Sequence, residues 1–102
     1  MIVWRTMQTA KRGHTADVVA LQREWNAKYA ANDSRVKGYR LLSSHIGVYE
    51  LVINEIEFES MADWESFYND FPKAADFSNW LERHYETTAG FDHDFWLVED
   101  KS

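Results

Sequence analysis

The stretch YELVINEIEFES, Tyr49 to Ser60, is rich in strand-forming residues, yet its apolar side chains do not keep one phase. Leu51 and Ile53 fall on odd positions, whereas Val52, Ile56 and Phe58 fall on even ones. Successive side chains of a strand point to opposite faces, so the first half of this stretch is apolar on both sides. A sheet with one face in water shows a clean alternation instead. The pattern therefore calls for a cover on each face, and the break near Asn54 reads as a bulge that turns the strand toward a rim. Glu55, Glu57 and Glu59 mark that rim, where three carboxylates at a spacing of two offer oxygen to a hard cation or, more simply, sit in water and discourage edge pairing.

The elements around this strand follow from local pattern. Ile2 to Thr9 is short, β-branched and aromatic, and runs into Gly13, which predicts a first strand. From Thr15 the period changes: Val18, Leu21, Trp25 and Tyr29 form one helical stripe, with Gln22, Arg23, Glu24 and Lys28 between them. Thr15 is the expected N-cap, Asp17 complements the helix dipole, and Asn32 to Ser34 ends the run. Val36 to Ser44 reads as a second strand, joined to the quoted one by turn residues Ser43 to Gly47, which predicts an antiparallel hairpin. Ser60 and Asp63 resemble a capping box ahead of a stripe formed by Met61, Trp64, Phe67, Tyr68 and Phe71. Pro72 stops that ladder. Phe77, Trp80, Leu81, His84, Tyr85 and Thr88 form a further helical face, with Gly90 expected as its C-cap, before a last strand from Phe91 to Val98.

The order is β-α-β-β-α-β, which predicts an α+β, ferredoxin-like domain over residues 1–102 with a four-stranded antiparallel sheet. Both crossovers of this topology lie on one side of the sheet, so the helices cover one face only. The other face also carries large apolar groups, each representing about 1.5–3 kcal/mol if left wet. A second copy of the chain packed sheet to sheet is the expected cover, with Tyr49, Leu51 and Ile53 at the interface. The alternative is a monomer with aromatic residues scattered over its surface.

Composition narrows the classes of function. The chain has 102 residues, 17 acidic against 11 basic, a net charge of −6, no cysteine and five tryptophans. An acidic surface repels phosphate backbones and anionic lipid, which argues against nucleic-acid and membrane partners. Disulfides, thiolate catalysis and cysteine-ligated metals are excluded, and a reducing cytoplasm is the expected setting. The N-terminus has its bases after its apolar residues, the reverse of a secretory signal, and no apolar run approaches roughly 20 residues.

The segments VYELVINEIEFES, MADWESFYNDF and FDHDFWLVE, in that order and at this length, resemble the dimeric α/β barrel superfamily, in its NIPSNAP-like and antibiotic-biosynthesis-monooxygenase-like forms. The resemblance implies two ferredoxin-like sheets joined into a barrel across a two-fold axis, with any ligand pocket between a subunit's own sheet and helices. Members of the superfamily include cofactor-independent monooxygenases, heme-degrading enzymes, small-molecule isomerases and proteins of no known activity, so fold alone does not assign chemistry.

His84 lies on an apolar helical stripe that faces such a pocket. It is a candidate general base or axial heme ligand, against the simpler reading of a core-boundary histidine bonded to a neighbour. The segment NWLERH superficially matches the Asn, Trp and His of heme-degrading relatives. The match fails by residue, because Arg5, Thr6 and Met7 stand where those relatives carry their Asn; heme degradation is the weaker alternative. His93 has Asp92 and Asp94 as neighbours, but adjacent strand residues point apart, so a rim histidine is expected rather than a metal ligand. His14 and His45 occupy ordinary turn positions. No G-x-S-x-G and no glycine-rich phosphate loop is present. Neither a metal nor a cofactor is expected. The aromatic excess, Trp4, Trp25, Tyr39, Trp64 and Trp80, either walls an apolar cavity for a planar hydrophobic molecule or is plain core. The function expected from the sequence and the resemblance is binding or transformation of a small hydrophobic or aromatic molecule by a homodimer, in the manner of a cofactor-independent monooxygenase; a non-catalytic dimerisation or ligand-sensing module is the alternative.

Overall fold

The computed structural model describes residues 1–47 and 49–101. Its elements are β1 (Ile2–Ala10), α1 (Thr15–Trp25) prolonged by a π-helical turn (Asn26–Ala30), β2 (Val36–Ser43), β3 (Leu51–Phe58), α2 (Met61–Asp70), a 3-10 turn (Phe71–Lys73), α3 (Phe77–Thr87) and β4 (Thr88–Leu97). The four strands lie in the order β2-β3-β1-β4, and every pairing is antiparallel. This is the ferredoxin-like arrangement that the element order predicts.

Local chemistry sets the boundaries. Gly13 takes a left-handed backbone (φ 82°) between β1 and α1, and its N–H donates to Glu50 Oε1 at 2.6 Å. The N-cap of α1 is His14 rather than Thr15, without a side-chain cap. The imidazole instead meets Asp17 at 2.9 Å, and Thr15 Oγ1 donates to Glu50 at 3.5 Å. Ser60 does cap α2, accepting from the Asp63 N–H at 3.3 Å, and the helix ends before Pro72. Gly90 is not a C-cap. Thr88 is already extended (φ −113°, ψ 124°), so α3 passes straight into β4, and Gly90 pairs with Thr9 inside the sheet.

The phase problem in the third strand resolves without a bulge at Asn54. The β1–β3 register runs unbroken from Ile2 opposite Phe58 to Thr9 opposite Leu51. Val52, Asn54, Ile56 and Phe58 are all buried beneath the helices, so Asn54 is a polar member of the inward phase. The irregularity lies in β2, between Val36 and Gly38. Inward residues of β1 (Ile2, Trp4) and β3 (Ile56, Phe58) pack with Leu21 and Trp25 of α1, Phe67 of α2 and Trp80 of α3.

Leu51 and Ile53 stand on the face away from the helices, together with Glu55 and Glu57. The acidic residues are therefore not a separate rim: Glu55 pairs with Arg40 at 2.7 Å and Glu57 with Lys101 at 2.6 Å. By register, Val3, Arg5 and Met7 of β1, Leu42 of β2 and Trp96 of β4 share this face. Arg5 binds Asp94 at 2.7 Å and lies over the Trp96 ring, 4.9 Å from its centroid. Tyr49 lies outside the strand, in the turn before it, and is 82% exposed.

Candidate functional site

A cavity of about 400 Å³ opens between the helices and the sheet. Trp4 from β1, Trp25 from α1, Phe71 and Pro72 after α2, and Phe77, Trp80 and His84 from α3 form much of its wall. The spacing on α3 explains three of these: Phe77, Trp80 and His84 follow each other at three- and four-residue steps and so share one face. Their rings stack in series, Phe77 on Trp80 at 5.8 Å and Trp80 on His84 at 5.1 Å, with interplanar angles of 17° and 15°. Trp80 is held by its indole N–H, which donates to Leu21 O at 2.8 Å.

His84 is buried, at 5% exposure. Its Nδ1 lies 3.4 Å from Thr88 Oγ1, a long contact, and Phe91 meets the ring edge to face at 6.0 Å. Burial among these groups disfavours the imidazolium and pushes its pKa below the ordinary histidine value. Burial thus favours the neutral imidazole.

One end of the cavity is polar, and these residues were not singled out from the sequence. Thr6, Gln8, Gln22 and Asn54 line it. Asn54 and Asn26 exchange amide hydrogen bonds of 2.8 and 3.1 Å, and Asn54 Nδ2 also donates to Gln22 Oε1 at 3.1 Å. Gln8 Nε2 donates to Thr6 Oγ1 at 2.9 Å. Gln22 does not lie on the solvent side of α1, as its place between the stripe residues predicts; it is 3% exposed. Gln22 and Asn26 stand one turn apart, at the junction where α1 relaxes into its π-helical turn and the Ala31 N–H reaches back to Asn26 O. Such turns recur at functional sites.

Of the predicted aromatic walls, Trp4, Trp25 and Trp80 converge with His84 on this cavity. Trp64 sits behind, stacked on Tyr68 at 4.9 Å and edge-on to Phe95 at 4.7 Å. Tyr39 lines a different hollow, with Val19, Arg23 and Leu41. His93 is exposed, as a rim residue would be, yet it belongs to the cavity lining: its Nδ1 accepts from Trp4 Nε1 at 3.0 Å. Its parity matches Thr6, whereas Asp92 and Asp94 pair with Met7 and Arg5 on the other face. Among the described residues no three His, Asp or Glu side chains converge as a metal site.

No lysine or arginine is among the lining residues to meet a heme propionate. Among the described residues, no helix is long and apolar enough to cross a membrane.

No protein-family model matches the sequence, and no curated protein matches it. Solved structures do match in shape. A NIPSNAP family protein from Agrobacterium tumefaciens superposes with a TM-score of 0.81 at 20% identity, over 99% of this chain and 88% of that one. A NIPSNAP domain protein from Burkholderia xenovorans gives 0.80 at 9% identity, over 96% and 94%. A candidate antibiotic biosynthesis monooxygenase from Nitrosomonas europaea gives 0.75 at 12% identity, over 98% and 100%. The chain has the ferredoxin-like fold that these NIPSNAP-domain and antibiotic-biosynthesis-monooxygenase-like proteins share.

Proposed function

We propose that this protein is a homodimer that binds a small, largely aromatic molecule in the cavity between its helices and sheet, in a cytoplasmic setting that the absence of cysteine suits. The observation that carries the reading is the convergence of Trp4, Trp25 and Trp80 with the buried His84 on one apolar space of about 400 Å³. That volume falls at the lower part of the range for small-molecule sites, and the lining, apolar with a few polar groups, has their usual character. The dimer joins the faces carrying Leu51 and Ile53, by analogy with the superfamily.

The chemistry that suits the site is proton abstraction. His84 takes a proton from an acidic C–H or O–H of the bound molecule, and the electron-rich anion then reacts with oxygen itself, as in cofactor-independent monooxygenases. Anthrone is a suitable probe, since loss of its C10 proton gives an enolate and the overall change, anthrone plus O₂ to anthraquinone plus water, balances. The expected result is oxygen uptake above the uncatalysed rate in the native protein and a return to that rate in His84→Ala, with ligand binding retained. Binding is read separately, as a rise in Tm of several degrees with saturating 2-naphthol. Binding without uptake would favour the ligand-sensing alternative, and no binding would contradict the proposal.

A further inference from the structure

Exposure locates the mouth of the cavity. Among the lining residues Trp4, Trp25 and Trp80 are buried, whereas Tyr68, Tyr85 and Phe91 are 43%, 65% and 56% exposed and His93 is exposed with them. A side chain that lines a cavity and still meets solvent stands at its opening. Phe91 and His93 belong to β4, the outer strand of the sheet, and Tyr68 and Tyr85 to α2 and α3. The cavity therefore opens between the β4 edge and those two helices.

One polar group at this mouth has its proton placed by a neighbour. The indole N–H of Trp4 can only donate, so the His93 Nδ1 that meets it at 3.0 Å accepts and carries no proton. In the neutral ring the proton then sits on Nε2, which makes that atom a donor. His93 projects from the helix side of the sheet, where it shares the parity of the buried Thr6. Nε2 is the ring nitrogen farther from the backbone, so its N–H reaches outward from the sheet into the mouth. It has no protein partner among the described residues, in which His93 bonds only through Nδ1 and its backbone N–H. No Lys, Arg, Asp or Glu is among the lining residues, so a charged ligand would find no counter-ion there.

We propose that His93 is a specificity residue that selects uncharged aromatic molecules carrying a carbonyl oxygen. The oxygen stays at the mouth, where it accepts from the His93 Nε2–H, and the rings enter the cavity against the buried tryptophans. Trp4 serves twice in this arrangement: its ring walls the cavity, and its N–H fixes the tautomer of His93. The inference rests on the proposed role of the cavity as a ligand site, and adds to it the polar group of the ligand and the direction in which the ligand enters.

The test compares 1-tetralone with tetralin, the same ring skeleton without the oxygen, by titration of the full chain followed on its indole ¹H–¹⁵N signals. His93→Leu is expected to weaken 1-tetralone about three- to tenfold, the worth of one hydrogen bond, and to leave tetralin within about twofold of the native affinity. His93→Gln, whose amide supplies an acceptor for Trp4 and a donor for the ligand, is expected to hold 1-tetralone within about twofold of the native value. The native protein with ¹⁵N-labelled histidine gives a reading that needs no variant to fold. At about pH 8, where an ordinary imidazole is neutral, His93 is expected to show a protonated Nε2 and a bare Nδ1, and 1-tetralone to move the Nε2 signal further than tetralin does. A proton on Nδ1, an Nε2 signal indifferent to the oxygen, or equal weakening of both compounds by His93→Leu would overturn the assignment of His93 while leaving the cavity a ligand site. Absence of binding by both compounds would overturn both.

Discussion

Asn54 on the central strand β3 and Asn26 on the π-helical turn exchange two amide hydrogen bonds, 2.8 and 3.1 Å long, beneath the helical layer. This pair explains why a polar residue occupies the inward phase of β3: its amide ties the helix to the sheet at the end of the cavity. Asn54→Ala would strand Asn26 and Gln22 together, at an expected cost of about 2–4 kcal/mol by urea denaturation. Replacing Asn26 and Asn54 together by Leu is expected to cost less than the sum of the two single changes, since the pair acts as a unit.

Burial of His84 makes stability depend on pH. The folded ring holds its proton less tightly than the unfolded one. Between its two pKa values the unfolded chain binds more protons, so the folded state is most favoured above about pH 6.5 and loses stability as pH falls below it. His84→Phe is expected to remove this component and flatten the decline in Tm between about pH 8 and pH 5 relative to the native protein. Parallel profiles would show that His84 titrates normally.

Gly90 separates two readings of the chain after α3. As a C-cap it would need a left-handed backbone, and Ala there would cost about 1 kcal/mol. Within β4 its added Cβ meets Thr9 at an ordinary 3.7 Å. Gly90→Ala is therefore expected to be neutral or to stabilise by a few tenths of a kcal/mol, as measured by thermal unfolding.

The uncovered sheet face carries Val3, Met7, Leu42, Leu51 and Ile53 around the Arg5–Asp94 ion pair. Light scattering across a dilution series is expected to give the mass of two chains. Ile53→Glu, which sets an unpaired charge in the middle of that face, is expected to shift the mass toward one chain with the fold retained. A single-chain mass for the native protein at every concentration would contradict the homodimer.

The topology was legible because it rests on periods: apolar stripes at helical spacing, turn residues between strands and Pro72 after α2 each act locally. What misled was the assumption that inward positions are apolar. Asn54 broke the visible alternation of β3 without breaking the strand, and Glu55 and Glu57 are tolerated beside Leu51 and Ile53 because Arg40 and Lys101 neutralise them. The same assumption hid the polar end of the cavity. Thr6 and Gln8 share the parity of Ile2 and Trp4, and Gln22 stands four residues after Val18 and three before Trp25. Those spacings were the available signal. The separation of Trp64 and Tyr39 from Trp4, Trp25 and Trp80 depends on how α2 and β2 pack, which spacing within one element does not encode.

The central claim is that the cavity between helices and sheet is where a small aromatic molecule binds, and the five tryptophans report on it directly. In a ¹H–¹⁵N spectrum with assigned indole signals, titration with 2-naphthol is expected to move Trp4, Trp25 and Trp80, which line the cavity, and to leave Trp96, on the opposite face, in place. Movement of Trp96 alone, or of no indole at all, would contradict the account.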